Sequence, residues 1–128
     1  MTPYKHAESS AKKFGGTPDE YLYVHNWFDE TKAFTGDWTH RALRHHSAGI
    51  EWCCSILGHE ILIDLDDDDK VGDNHFRVVP TKLVAEQHVM EDCGFIPTPQ
   101  DWLKGIKQQP ADWMLKVGYK TKKEIEIL

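Results

Sequence analysis

The chain has 128 residues, 40% of them hydrophobic and 28% charged, with a formal net charge of −6. That length suits a single domain, residues 1–128, with a hydrophobic core. The acidic balance excludes a nonspecific grip on duplex nucleic acid, and no apolar run reaches the about 18 residues of a membrane span.

The N-terminal M-T-P-Y-K-H-A-E-S-S lacks the apolar core of a signal peptide, so the expected compartment is the cytoplasm. P-Y-K-H-A-E-S-S-A-K-K-F reads as a short helix stopped by Gly15-Gly16. Thr17, Pro18 and Glu20 then give the N-cap, first-position proline and capping box of a helix predicted to run to about Phe34. Its apolar stripe is Tyr21, Val24 and Phe28, with His25 inside the stripe. T-G-D at 35–37 separates a longer predicted helix, Trp38 to Leu57, capped by Gly58. Leu43, Ile50, Cys53 and Leu57 are its expected core positions, and helical spacing puts His46 on that same inward face. His40, Arg44, Ser47 and Glu51 form an outward polar stripe, with Arg41 and His45 on the flank between.

Two strands are expected next, H-E-I-L-I-D-L and H-F-R-V-V-P, around the acidic loop D-D-D-D-K-V-G-D-N. The alternation of Asp64, Asp66 and Asp68 resembles a calcium loop. Asp69 nonetheless stands where that loop requires glycine and no Glu closes it, so a solvated turn is the better reading. T-K-L-V-A-E-Q-H-V-M-E-D-C-G is a further helix, with Ala85, Val89 and Cys93 on one apolar edge and Gly94 as its stop. Thr98 and Pro99 open the last clear helix, and Trp102 and Trp113 are expected as core anchors. The predicted fold is therefore mainly α, a compact bundle of four to five helices with one small β-hairpin inserted after the third.

Eight histidines in 128 residues are an excess that draws attention to coordination and proton transfer. His25 and Asp29 are four apart, His88 and Asp92 repeat that spacing, and His46 faces inward on the helix between. Imidazoles and carboxylates one turn apart on facing helices are how helical domains hold divalent metal ions or orient a general base. His25, Asp29, His46, His88 and Asp92 are the candidate metal ligands. Arg41, Arg44 and His45 are the candidate catalytic set, because two arginines three apart can share an anionic group through charge-assisted hydrogen bonds. Trp27, Trp38 or Trp52 could stack on a base. Against these stand plain readings: a core histidine with an ordinary hydrogen bond, and a solvated basic face paired with Asp37 or Glu51.

Cys53, Cys54 and Cys93 contain no C-x-x-C pair, and Cys53-Cys54 sits among apolar neighbours that raise a thiol's pKa. They read as structural thiols. H-E-x-x-H, a Gly-rich phosphate loop and a nucleophile elbow are all missing.

H-A-E-S-S-A-K-K-F-G-G, H-N-W-F-D-E-T-K, H-R-A-L-R-H-H-S-A-G-I and E-Q-H-V-M-E-D-C-G-F-I-P-T-P-Q-D-W-L together resemble an uncharacterised family of small phage and bacterial proteins. The resemblance spans roughly His6 to Ile106. It implies a small, intracellular, phage-borne protein and supplies no catalytic residues. The function expected from the residues is a divalent-metal-dependent hydrolase acting on a phosphorylated small molecule, plausibly a nucleotide. Two alternatives stay beside it: a non-catalytic phage-type protein that sequesters a nucleotide signal, and an acidic inhibitor that binds a host protein.

Overall fold

Capping chemistry starts the first helix. Thr2 accepts from Lys5 N, Pro3 takes the first helical position, and α1 runs over Pro3–Phe14. In this computed structural model, which describes residues 1–65 and 75–116, the chain then turns through Gly15 and Gly16, both at positive φ. Close approach matters here as much as φ. A Cβ on Gly15 would stand 3.0 Å from Leu65 Cδ2, and one on Gly16 would stand 2.6 Å from Glu20 Oε1. Tyr21 OH donates to the Gly15 carbonyl at 2.6 Å, and Arg77 Nη1 donates to the Phe14 carbonyl at 2.8 Å.

Both long helices predicted between Thr17 and Leu57 are broken. The Thr17–Glu20 capping box forms, but it launches only a 3-10 turn, Pro18–Glu20. α2 follows over Leu22–Asp29 and α3 over Lys32–Thr35, which ends at left-handed Gly36. Between them Thr31 is buried and donates its hydroxyl to the His40 carbonyl at 3.4 Å. After a 3-10 turn at Trp38–His40, α4 covers only Arg41–Arg44 and α5 covers Ser47–Leu57.

The interruption at His45–His46 has a local cause. His46 is extended (φ −161°, ψ 175°) and caps α5, with its ring Nδ1 accepting from Gly49 N at 3.0 Å. The Arg44 carbonyl then lies where a Cβ on residue 49 would be, 1.8 Å away, so only glycine permits the kink. The kink also overturns two expected orientations: Leu43 is largely exposed, and His40 is buried rather than outward.

β1 (Glu60–Asp64) and β2 (Phe76–Pro80) pair antiparallel, with Ile61 opposite Val79 and Ile63 opposite Arg77. Ile61, Ile63 and Val79 turn inward while Leu62 stays exposed, the period-two alternation of a sheet with one covered face. α6 occupies Thr81–Cys93 and stops at left-handed Gly94. α7, Pro99–Gln108, opens on the Thr98–Asp101 capping box, and α8 covers Asp112–Lys116. The hydrophobic core joins Ala7, Tyr21, Val24, Phe28, Ile50 and Cys53 to the inner hairpin face and to Val84, Ala85 and Val89 of α6.

The fold is thus mainly helical with one small hairpin. There are more helical segments than expected, and the hairpin follows the fifth instead of the third, because two predicted helices are each divided. Trp102 is half-buried, but Trp113 is 61% exposed and is not the core anchor expected of it. The calcium-like loop lies outside the described residues from Asp66 to Asp69; Asp64, at its edge, meets His75 Nδ1 at 2.7 Å. Among the described residues no helix is long and apolar enough to cross a membrane.

Candidate metal centre

Asp29 is the last residue of α2, His45 sits in the kink between α4 and α5, and His88 and Asp92 are one turn apart on α6. These elements gather four ligand atoms around the His45 and His88 rings. His88 Nε2 lies 3.2 Å from Asp29 Oδ1, 3.2 Å from Asp92 Oδ2 and 3.1 Å from His45 Nε2. His45 Nε2 lies 3.0 Å from Asp92 Oδ2 and 3.4 Å from Asp29 Oδ1. Both imidazoles are fully buried. Trp102 Nε1 donates to the His45 carbonyl at 2.9 Å, so α7 holds the kink from outside. His40 adds a third nitrogen near Asp29, with Nε2 3.4 Å from its Oδ1 and Nδ1 2.7 Å from the Asp37 carbonyl.

A chain of hydrogen bonds behind the centre determines which nitrogen of His88 faces it. One terminal atom of Gln87 contacts the His6 carbonyl at 3.1 Å and Glu91 Oε1 at 2.9 Å. Both partners are acceptors, so that atom is the amide nitrogen. The amide oxygen therefore faces Ser10 Oγ at 2.7 Å, while the His6 carbonyl also lies 3.1 Å from the same hydroxyl. The single Ser10 proton goes to one of these acceptors, leaving His25 Nε2, 2.7 Å away, as donor to Ser10. Burial, reinforced by the neighbouring His88 and His6 rings, pushes the His25 pKa down to about 3, so His25 is neutral and its Nδ1 carries the lone pair. His88 Nδ1 must then donate across the 2.9 Å contact to His25. When His88 is neutral, its Nε2 lone pair points at the four-atom cluster.

That arrangement is short of positive charge. Three lone-pair atoms (His88 Nε2, Asp29 Oδ1 and Asp92 Oδ2) face one another, and one His45 proton cannot serve all three. Either extra protons or a cation must fill the deficit, since buried carboxylates without a partner are costly. Burial disfavours the charged forms of Asp29 and Asp92, but hydrogen bonds from His45 and His88, joined at Asp92 by His6, hold both carboxyls well below the usual range. Burial likewise opposes a charge on His45, yet Asp29 and Asp92 raise its pKa.

Five of the six separations among these four atoms match those around a small divalent ion. Ligand bonds of about 2 Å in a tetrahedral site imply ligand–ligand edges of about 3.3 Å, and the five edges above span 3.0–3.4 Å. Ligand atoms of His6, Asp29, His88 and Asp92 lie within 4.8 Å of one another, as do those of Asp29, His40 and His45, and of His6, His25 and His88. The buried groups could therefore hold a metal ion. One feature is unusual for a ligand: His45 Nδ1 is buried with no hydrogen-bond partner among the described residues.

Two cavities open beside the centre, and Arg41 and Asp92 line both. One is bordered by Asp29, Lys32, His40 and the N-terminal Met1–Pro3; the other by Trp38, Phe95, Pro97 and Trp102. Arg41 Nη2 stands 3.8 Å from Asp92 Oδ1, and its buried Nε has no partner among the described residues.

Of the ligands expected from spacing, Asp29, His88 and Asp92 converge, and His25 stands one residue behind them, orienting His88. His46 is the correction. The kink turns it away, and its ring is used up as the α5 cap and by a 3.2 Å contact to the Leu43 carbonyl. His45, placed with the catalytic set, takes the inward position. Arg44 is also engaged elsewhere: Nη1 donates to the Trp27 carbonyl and to Glu30, each at 2.5 Å, and the guanidinium lies 4.2 Å above the Trp27 ring. Sequence reasoning missed His6, Ser10, His40, Gln87 and Glu91. His6 bridges Glu91 (2.8 Å) and Asp92 (3.1 Å), and burial is outweighed there by these carboxylates, which raise its pKa. A signal was present in Q-H-x-x-E-D, where Gln87/Glu91 and His88/Asp92 are adjacent four-residue pairs, and in the matching four-residue spacing of His6 and Ser10.

The family described as "Domain of unknown function (DUF6915)" matches residues 1–114. No curated protein and no solved structure matches the chain.

Proposed function

The chain belongs to the DUF6915 family, and from that premise we propose that it is a divalent-metal-dependent hydrolase of a phosphorylated small molecule. The observation that carries this reading is the clustering of buried imidazoles and carboxylates: His45 Nε2 and His88 Nε2 lie 3.1 Å apart and each lies 3.0–3.4 Å from Asp29 Oδ1 and Asp92 Oδ2. When bound, the ion supplies Lewis acidity to a phosphoryl oxygen and acidifies water. The cavity bordered by Asp29, Lys32, His40 and Arg41 receives the phosphoryl group. Lys32 and Arg41 neutralise charge that develops on it, and the low dielectric of a half-closed cavity strengthens that effect. His40, steadied through Nδ1 by the Asp37 carbonyl, moves a proton at Nε2. A P–O ester bond breaks as the water oxygen joins phosphorus, and one proton of that water leaves on the departing alcohol.

Elemental analysis of the purified chain tests the reading, with about one divalent ion per molecule expected. His45→Ala and His88→Ala should lose the ion, whereas His46→Ala should keep it. No ion in the wild type, and no fall in melting temperature on chelation, would sink the proposal. An ion retained without release of phosphate from any of a panel of phosphate esters would leave a binding protein rather than an enzyme.

A further inference from the structure

The second cavity, about 320 Å³, shares Arg41 and Asp92 with the first but has a different wall. Trp38, Phe95 and Trp102 supply aromatic rings, with Cys93 and Pro97 between them. Trp38 and Phe95 are largely exposed although nothing in the core requires them there; Trp38 is 63% exposed. Arg41 stands at the end that meets the metal centre, with its buried Nε lacking a partner among the described residues. Asp101, a carboxylate, lies on the lining of the aromatic cavity and disfavours a phosphate there.

We propose that this cleft is the base-binding half of the substrate site, so that the phosphorylated substrate is a nucleotide. Its phosphate lies between Arg41 and the metal centre, and its base stacks on Trp38 and Phe95. The inference rests on the hydrolase reading for the place of the phosphate, but the aromatic cleft is an independent observation. Every base has a π-face, so stacking gives affinity with little preference among bases. Arg41 is the hinge of the arrangement, because its residue lines both cavities and a guanidinium gives charge-assisted hydrogen bonds to an anionic oxygen.

The test is equilibrium binding to the metal-loaded full chain, comparing adenosine 5′-methylenephosphonate with ribose 5-methylenephosphonate, neither of which can be hydrolysed at phosphorus–carbon. The nucleoside compound should bind at least tenfold more tightly and quench tryptophan fluorescence. Trp38→Ala and Phe95→Ala should each erase most of that preference while leaving ion content and the weak binding of the ribose compound unchanged. Equal binding of the two compounds, or a preference that survives both substitutions, would overturn the inference. Its failure is separable from that of the hydrolase reading. A base preference that persists in an ion-free chain supports the cleft and removes the enzyme, whereas turnover of phosphate esters regardless of any ring retains the enzyme and removes the cleft.

Discussion

Helices α2 and α6 each serve two regions built on different physics. Val24 and Phe28 of α2, with Val84, Ala85 and Val89 of α6, enter the apolar core, while His25, Asp29, Gln87, His88, Glu91 and Asp92 of the same helices enter the polar centre. The core is held by area and packing, which are non-directional and forgive a change of shape. The centre is held by partners that must each be present and correctly protonated, because an unsatisfied buried group costs its full desolvation. A loss on the apolar side should therefore show as stability, and a loss on the polar side as both stability and ligand affinity.

The largest break in this contrast is expected at Gly49, which belongs to neither region yet positions both. Gly49→Ala forces a Cβ into the Arg44 carbonyl. It should cost about 3 kcal/mol or more, seen as a melting temperature lower by ~10 °C, and should also abolish ion binding because His45 loses its place. Chelation comes next. Removing an ion present at about one hundred times its Kd should lower stability by about 2.7 kcal/mol in calorimetry, and His88→Ala should make the chain indifferent to chelator.

Val89 and Gln87, neighbours on α6, form a matched pair. Val89→Ala should cost about 2 kcal/mol and leave ion affinity unchanged. Gln87→Leu should cost about the same, since it strips Ser10 and Glu91 of a partner, but it should also weaken ion binding by about 10–100-fold because His88 is no longer locked through His25. Equal ion affinity in the two variants would show that the polar chain behind His88 is merely packing. The smallest effect lies at the core's edge. Tyr21→Phe removes the hydrogen bond to the Gly15 carbonyl and should cost about 1 kcal/mol at neutral pH. Burial, with the Glu20 charge adding to it, pushes the Tyr21 pKa up to about 12. Wild-type stability should therefore fall between about pH 10 and 12, as the unfolded chain ionises first, and the variant should show a shallower fall, since burial also raises Tyr23 and the three cysteines.

Much of the fold was legible in local chemistry. Pro3 at the start of α1, Gly94 after α6 and Thr98–Pro99 before α7 act within one turn of the chain, so spacing alone finds them. Asp29, His88 and Asp92 were legible too, because a four-residue interval puts two side chains on one face whatever surrounds the helix. His6 and Ser10 were hidden, since they look like any residues of a short surface helix until α6 is laid beside them. The choice between His45 and His46 was beyond reach for a sharper reason: an unbroken helix and a kinked one bury opposite members of the pair.

Interactions spanning a few residues marked both ends of α1 and α6, the start of α7, the hairpin between, and the imidazoles and carboxylates that recur at helical intervals. Only the tertiary structure decided that His45 rather than His46 joins Asp29, His88 and Asp92. That decision depends on Arg44's carbonyl seated against Gly49, on Ser47 N donating to the Pro97 carbonyl at 2.8 Å, and on Trp102 holding His45 from α7. Two of these three contacts cross about fifty residues of chain, a distance over which no periodicity carries information.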